Sequence, residues 1–568
     1  MQIHVLVGSF WRIIYNAIPR NKRLTPLTSA CYPHFSIYSQ TFFDGLILSA
    51  VLLRHVYAIR RKIRHCCRTV IIVRRCHKIP CNFFTKGNTV MKILYATSEA
   101  QPFAASGGLA DVAGSLPKAL VAEGQECIVV LPYYINTIKD SHKENIRYVD
   151  HFYVSVGWRA QYCGVFQTEL NGVTYYFLDN EYYFKRDFGL YGYYDDGERY
   201  AFFSRAVMEL IQKFDLRPDV INANDWQCAL IPVYYNLYYR NQYNMQNIHT
   251  VFTIHNIQYQ GRYGLELMEE VLGIPKHYKN IMEYDGDVNF MKAAIEVSEK
   301  VTTVSPTYAT EILDPWFSHG LDRILKNKTY KTCGFLNGID TDMYNPEKDP
   351  AIPATFSAKS KSGKRVCKKK LLEEVGLPTD DDAPVIGLVS RLVEHKGLDL
   401  IKCAFDEMIT LGCKIVILGS GEAQYENFFN EMHYRYPDKV SFTCGYIPAL
   451  AKKIYAGADM FLMPSKSEPC GLAQMISLRY GTIPVVRATG GLKDSIPDYG
   501  EPDGKGLGFT FLSYNALDML GAVRRCTELY YNDSKAWGAL VTKAMKADFS
   551  WAQSAKLYIG LYKEICGM

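Results

Sequence analysis

From Met91 onward the chain alternates between two textures. Short runs built around apolar residues, KILYATSE, CIVVLP, TYYFLDN, DVINANDW and HTVFTIHN, are separated by stretches whose apolar residues recur at helical spacing, such as GGLADVAGSLPKALVAEG and RYAFFSRAVMELIQKF. Unbroken apolar runs predict strands buried on both faces, the signature of a parallel sheet covered by helices. Gly107-Gly108 opens the first predicted helix and Gly124 closes it. After the strand KVTTVSP the text becomes loop-rich over Leu336–Pro353, and a second series follows: PVIGLVSR, KIVILGSG, VSFTCGY, MFLMPS and IPVVRATGG. The pattern predicts an α/β protein of two Rossmann-like, doubly wound lobes facing a central cleft. The lobes are expected over residues 91–335 and 336–548, and a Trp-anchored helix over 549–568.

Residues 1–90 read differently. They hold 14 of the chain's 64 Lys and Arg but one acid, Asp44, for a charge of +13; the remainder, with 50 bases and 57 acids, carries −7. A mildly acidic body gives no electrostatic case for nucleic acid as a partner. The longest apolar stretch of the extension, Gly45 to Leu53, is far short of the ~20 residues of a spanning helix, so no membrane span is expected. The run Arg60–Cys81 reads as a basic surface, a targeting tail or a zinc cluster of Cys66, Cys67, Cys76, His77 and Cys81, although that spacing matches no common zinc pattern. Because Met91 opens a natural first strand, the extension is expected to be disordered or to be upstream sequence carried by an early start codon. The 16 cysteines form no C-x-x-C pair, and most, Cys127, Cys413 and Cys444 among them, stand in apolar settings. That usage points to free thiols in a reducing cytoplasm.

Ligands of open α/β sheets bind where strands end. Gly107 and Gly108 follow the first strand and allow close backbone approach to phosphate or sugar oxygens. Arg391 and Lys396 follow PVIGLV, and two fixed cations there suit a departing diphosphate; a solvated basic turn is the plain alternative. Glu468 precedes a Gly-opened helix, where it serves either sugar hydroxyls or the helix dipole. Thr489-Gly490-Gly491 follows the last of these strands. His255 ends TVFTI at the cleft edge, in either a structural or a catalytic role.

Taken together, FxxxGGLADV, DWQxAL, TIHNxxYQG, LNGIDTDxYNP, SRLxxxKGLDL and EPCGL…GTIPVVRATGGLKD resemble the bacterial glycogen synthases and plant starch synthases, of the GT-B fold. The resemblance covers Met91 to the C-terminus. It implies glucose transfer, with retention of configuration, from ADP-glucose to the non-reducing end of an α-1,4-glucan, with no metal or other cofactor. It also implies roles. Arg391 and Lys396 hold the diphosphate with help from the backbone at Gly107, Gly108 and Thr489–Gly491; Glu468 grips the transferred glucose; His255 stands beside the reacting carbon. Asn337 and Asp225 line the sugar site, Tyr446 stacks on the base, and Asp111 meets glucose or glucan hydroxyls.

One departure stands out. The family's first loop commonly reads Lys-Thr-Gly-Gly-Leu, whereas Ala105-Ser106 precedes Gly107 here. The lost ammonium bears on donor affinity and nucleotide preference, so a UDP-glucose-using transferase and a noncatalytic glucan-binding homologue stay open as alternatives. A sucrose- or trehalose-forming relative is disfavoured by Ile476, which stands where those families place a second Glu. Asp285-Gly286-Asp287 is read as a helix-start loop rather than a metal-binding D-x-D. Oligomeric state is left open.

Overall fold

The computed structural model describes residues 90–568, so the basic extension and its cysteine–histidine cluster lie outside the described residues. Strand β1 (Lys92–Ala96) shows why the apolar runs do not alternate. Ile93 and Tyr95 pack into one core, Leu94 and Ala96 into another on the opposite face. A strand covered on both sides has no polar face to show.

The first lobe carries β1, β2 (Glu126–Pro132), β3 (Arg147–Val156), β4 (Arg159–Leu170), β5 (Val173–Asp179), β6 (Val220–Asn224) and β7 (His249–Ile254). A small separate sheet is formed by β8 (Arg262–Tyr263), β9 (Glu283–Tyr284) and β10 (Asp287–Asn289); β11 (Lys300–Thr303) and β12 (Thr332–Gly334) return to the main one. Its order is β12-β11-β7-β6-β1-β2-β5-β4-β3, parallel from β12 to β5. Strands β3 and β4 form an antiparallel ribbon at the edge, which the parallel pattern did not announce. In β3 most side chains face solvent, so no apolar run marks it. The Asp285-Gly286 pair, expected at the start of a helix, is instead the turn of the β9–β10 hairpin, with both residues at positive φ.

The second lobe holds β13 (Val385–Val389), β14 (Lys414–Gly419), β15 (Val440–Cys444), β16 (Met460–Met463), β17 (Ile483–Arg487) and β18 (Phe509–Phe511). All are parallel, in the order β15-β14-β13-β16-β17-β18. This is the doubly wound order, and it reverses direction between β13 and β16. In the first lobe the corresponding reversal lies between β1 and β6.

Four helices carry the cleft loops or join the lobes: α1 (Gly108–Ala122), α2 (Pro306–Glu311), α3 (Gly490–Ser495) and α4 (Trp551–Ile565). Although α4 follows the second lobe in sequence, Trp551, Tyr558 and Tyr562 share a core with Ile93, Val112 and Leu116 of the first. The Tyr562 hydroxyl reaches Asn222 at 3.1 Å. Where the chain crosses between lobes on its return, Ile339 donates to the Phe549 carbonyl at 2.8 Å. Every cysteine among the described residues carries a free thiol. Cys444 is exposed rather than apolar in setting, because β15 emerges from the core at its carboxyl end. Among the described residues no helix is long and apolar enough to cross a membrane.

Candidate functional site

The loops that leave β13 and β16 flank the reversal point of the second sheet. After β13 the chain makes a single 3-10 turn over Glu394–Lys396 and then passes through Gly397 at φ 72. A Cβ on Gly397 would sit 2.0 Å from the Pro464 carbonyl oxygen, so glycine is what lets this loop press against the loop following β16. The close approach brings Lys396 Nζ to 2.7 Å from Glu468 Oε2, and Ser465 Oγ donates to the same oxygen at 3.0 Å. Glu468 is 7% exposed. Burial pushes its carboxyl up, but the Lys396 charge and hydrogen bonds outweigh that and hold it below the ordinary value. Arg391 stands exposed at the head of the loop. His395 between the two cations is neutral, driven down to about 4 by burial, with the charges of Lys396 and Arg391 adding to the effect.

Asn337 is 5% exposed, and its side-chain oxygen Oδ1 is buried without a hydrogen-bond partner. Buried polar atoms are rarely left so, and an unmet acceptor in a cleft fits a ligand hydroxyl. Tyr446, beyond the end of β15, is 89% exposed. Its ring is free to be covered by a planar group.

In the first lobe the loop after β1 is tied around a buried carboxylate. Glu99, 4% exposed, accepts from Ser106 Oγ at 3.1 Å, Gly107 N at 3.2 Å and Tyr191 Oη at 3.1 Å. The Gly107 N–H, expected to face a phosphate, is therefore committed to Glu99. Ala105, Gly107 and Gly108 are exposed, and a Cβ on either glycine would meet nothing within 4 Å. Asp111 in the first turn of α1 is raised to about 6, by burial first and by the charge of Glu99 second.

Asp225 and His255 end the neighbouring strands β6 and β7. Asp225 sits at φ 55, a left-handed conformation uncommon for a non-glycine residue. Its Oδ1 accepts from His255 N at 2.7 Å and Asn256 N at 3.3 Å. Burial raises the Asp225 carboxyl to about 7 against these hydrogen bonds. The His255 ring contacts Asn224 Oδ1 through Nε2 at 2.9 Å, while Asn224 Nδ2 is spent on the Ala96 carbonyl. Asn224 therefore offers His255 an acceptor, which fixes the proton on Nε2 and leaves Nδ1 unprotonated. Burial lowers His255 to about 3, so the ring is neutral at any ordinary pH.

Thr489, Gly490 and Gly491 lie where the first turn of α3 meets both lobes. Gly490 N donates to Glu311 of the first lobe at 3.0 Å, and Gly491 N to the Glu468 carbonyl at 3.1 Å. Both N–H groups expected to assist a diphosphate thus have protein partners. Sequence reasoning passed over Glu99 and Glu311. Glu99 lies in the loop after β1 and Glu311 closes α2, yet their partners are other loops, which local spacing does not reveal.

A cationic loop and a buried carboxylate at one reversal point, with an unmet amide oxygen on the segment that joins the lobes, suit a ligand with both anionic and hydroxyl groups. Comparisons with known proteins agree. Residues 92–327 match the model of the starch synthase catalytic domain and residues 372–529 that of glycosyl transferases group 1. The chain is 46% identical over 477 residues to the glycogen synthase of Geobacillus thermodenitrificans, covering 84% of this chain and 98% of that one. It is 46% identical over 479 residues to the glycogen synthase of Clostridium acetobutylicum, covering 84% and 100%. The solved catalytic domain of starch synthase IV from Arabidopsis thaliana, bound to ADP and acarbose, superposes with a TM-score of 0.78 at 33% identity, covering 84% of this chain and 100% of that one. Sucrose-phosphate synthase from Thermosynechococcus elongatus, at 16% identity and a TM-score of 0.53 over 84% and 99% of the two chains, shares the fold. A carboxylate held by a lysine at the reversal point of a two-lobed α/β fold, on a sequence that spans its relatives almost end to end, establishes that this chain belongs to the glycogen/starch synthase family of GT-B glycosyltransferases.

Proposed function

We propose that the protein lengthens an α-1,4-glucan by transferring glucose, with retention, from ADP-glucose to the non-reducing end. The observation that carries the proposal is the 2.7 Å pair of Lys396 and Glu468 beside Arg391. As the bond from glucose C1 to the diphosphate breaks and the bond from C1 to the acceptor oxygen forms, negative charge gathers on the departing phosphate, which takes up the proton that the acceptor hydroxyl loses. Lys396 and Arg391 are already in place to meet it, and preorganised charge costs no rearrangement at the moment of reaction. Glu468, kept ionised by Lys396, accepts hydrogen bonds from hydroxyls of the transferred glucose. Asn337 offers its unmet oxygen to the same sugar, and Asp225, Asp111 and the neutral His255 face it from the first lobe. The exposed ring of Tyr446 takes the adenine. Because these side chains supply the positive charge, the step is assigned no metal. Phosphate contacts from Gly107 and Gly490 require Glu99 and Glu311 to release them, and Gly491 N is held by the Glu468 and Pro469 carbonyls, whereas Gly108 stands in open space.

ADP as the carrier draws support from the related starch synthase solved with ADP. The free thiols favour a cytoplasmic setting. Ala105, in place of the family lysine, removes one cation from the donor side, and Ala105→Lys is expected to tighten donor binding. The decisive experiment supplies radiolabelled ADP-glucose or UDP-glucose with glycogen, in the presence and absence of a chelator, and counts label in polymer. Label from ADP-glucose with chelator present supports the proposal. Label from UDP-glucose alone corrects the carrier, and none from either makes the chain a glucan-binding homologue.

A further inference from the structure

Between the lobes, two short helices cap one another. Asp494 of α3 accepts from Thr307 N at 2.8 Å and Thr307 Oγ1 at 2.6 Å, satisfying the start of α2. In return Glu311 of α2 accepts from Thr489 Oγ1 at 2.9 Å and from Gly490 N at 3.0 Å and 3.1 Å, satisfying the start of α3. Each carboxylate comes from the opposite lobe; the start of α2 also has a cap of its own, Ser305 Oγ accepting from Tyr308 N at 3.1 Å, whereas α3 has no side-chain cap from its own N-terminal residue.

What α3 rests on is the backbone of Glu468. Gly490 is at φ 45, and a Cβ there would lie 2.0 Å from the Glu468 carbonyl oxygen. Gly491 N donates to the carbonyls of Glu468 at 3.1 Å and Pro469 at 3.2 Å. From the other side Ser305 Oγ, at the start of α2, donates to the Pro469 carbonyl at 2.7 Å. The peptide that carries Glu468 is therefore clamped between α3 and the first lobe. The two glycines serve that close packing rather than an approach to phosphate.

We propose that Glu311 is a positioning residue for Glu468: a first-lobe carboxylate that fixes the Thr489–Gly490 backbone and, through it, the carboxylate that grips the transferred glucose. The inference rests on the role given to Glu468 above. Without Glu311 the first turn of α3 loses its cap and the clamp on residues 468–469 loosens. The Glu468 side chain then leaves its alignment with Lys396, while Lys396 and Arg391 stay available to phosphate. The expected signature is a loss in kcat with little change in binding of ADP, which carries no glucose.

The test compares Glu311→Ala, Glu311→Gln, Asp494→Asn and Glu468→Gln, measuring kcat, donor KM and the Kd for ADP. Glu311→Ala is expected to lower kcat and kcat/KM together by about tenfold to a hundredfold, as a misplaced catalytic group does, with the ADP Kd unchanged. Glu311→Gln, whose amide oxygen still accepts from Thr489 and Gly490, is expected to recover part of that loss, and it carries the test if the alanine variant does not fold. Asp494→Asn disturbs the same interface on the side of α2, where Ser305 still caps Tyr308 N and still holds the Pro469 carbonyl, and is expected to keep kcat. Unchanged kcat in a folded Glu311→Ala, or an equal loss in Asp494→Asn, overturns the proposal. If Glu468→Gln itself elongates glycogen normally, the site assignment falls; if it is inactive while Glu311→Ala is not, the positioning role alone falls.

Discussion

Replacing Lys396 with methionine removes the ammonium from a carboxylate that is 7% exposed and lies 2.7 Å away. Breaking a buried pair from one side costs about 3–5 kcal/mol when the remaining charge must stay. Here the remaining group has an escape, because Glu468 can take up a proton. For a carboxyl whose ordinary value is 4.5, neutralisation at about pH 7 costs about 3.4 kcal/mol, and at about pH 5 about 0.7 kcal/mol. The cost of the stranded charge is therefore capped at about 3.4 kcal/mol near neutrality and falls to about 0.7 kcal/mol at about pH 5. The sign follows from the two environments. In the native protein the Glu468 carboxyl is held below its ordinary value, so the pair stabilises above about 4.5 and that contribution is lost as pH falls through the depressed value. In the variant burial is opposed by the Ser465 hydrogen bond but no longer by the ammonium, so the carboxyl rises and the destabilisation grows as pH climbs from about 4.5. Urea unfolding of native and Lys396→Met protein at about pH 5 and about pH 7 measures this directly. Adding Glu468→Gln removes the stranded charge and should restore most of the stability without restoring elongation. A destabilisation equal at both pH values, or no recovery in the double variant, refutes the reasoning.

Gly490→Ala places a methyl group against the Glu468 carbonyl at a positive φ, and should destabilise by about 2–3 kcal/mol while abolishing elongation; unfolding midpoints check it. Gly107→Ala meets no atom within 4 Å at an extended backbone, so stability should be unchanged, and a raised donor KM would mark the donor's approach there. Asp225, raised in the fold to about 7 from an ordinary 3.8, binds its proton more tightly when folded. Its contribution is present below about 4 and is lost as pH rises through about 7, with a slope of up to about 1.4 kcal/mol per pH unit; Asp225→Asn should flatten that slope. His255, lowered to about 3, should give the pH–rate profile no acid limb, so His255→Asn should lower kcat without moving the profile.

The architecture was legible because burial on both faces leaves a signature in the central parallel strands: the runs at KILYA, CIVVLP and KIVILG each became one, whereas the half-buried edge strand β12 left none. The antiparallel ribbon of β3 and β4 was not legible, since its outward residues mix aromatics with charges. Arg391, Lys396 and Glu468 could be named as site candidates because strand ends are local features. Their pairing, across 72 positions, needed the fold. The contact of Glu311 with Gly490 spans 179 positions and two lobes, and nothing near either residue announces it. Glu99 likewise looked like ordinary loop text, yet it takes the Gly107 N–H, one of the two that glycine-rich spacing had suggested for phosphate.

The return of the last helix to the first lobe has a practical consequence for exchange experiments. Trp551, Tyr558 and Tyr562 complete the core beneath β1, so residues 90–335 expressed alone would present an open apolar trough. A hybrid that borrows its donor half from a relative must therefore change sequence twice, once near Leu336 and again near Phe549, so that the terminal segment is inherited with the half it covers.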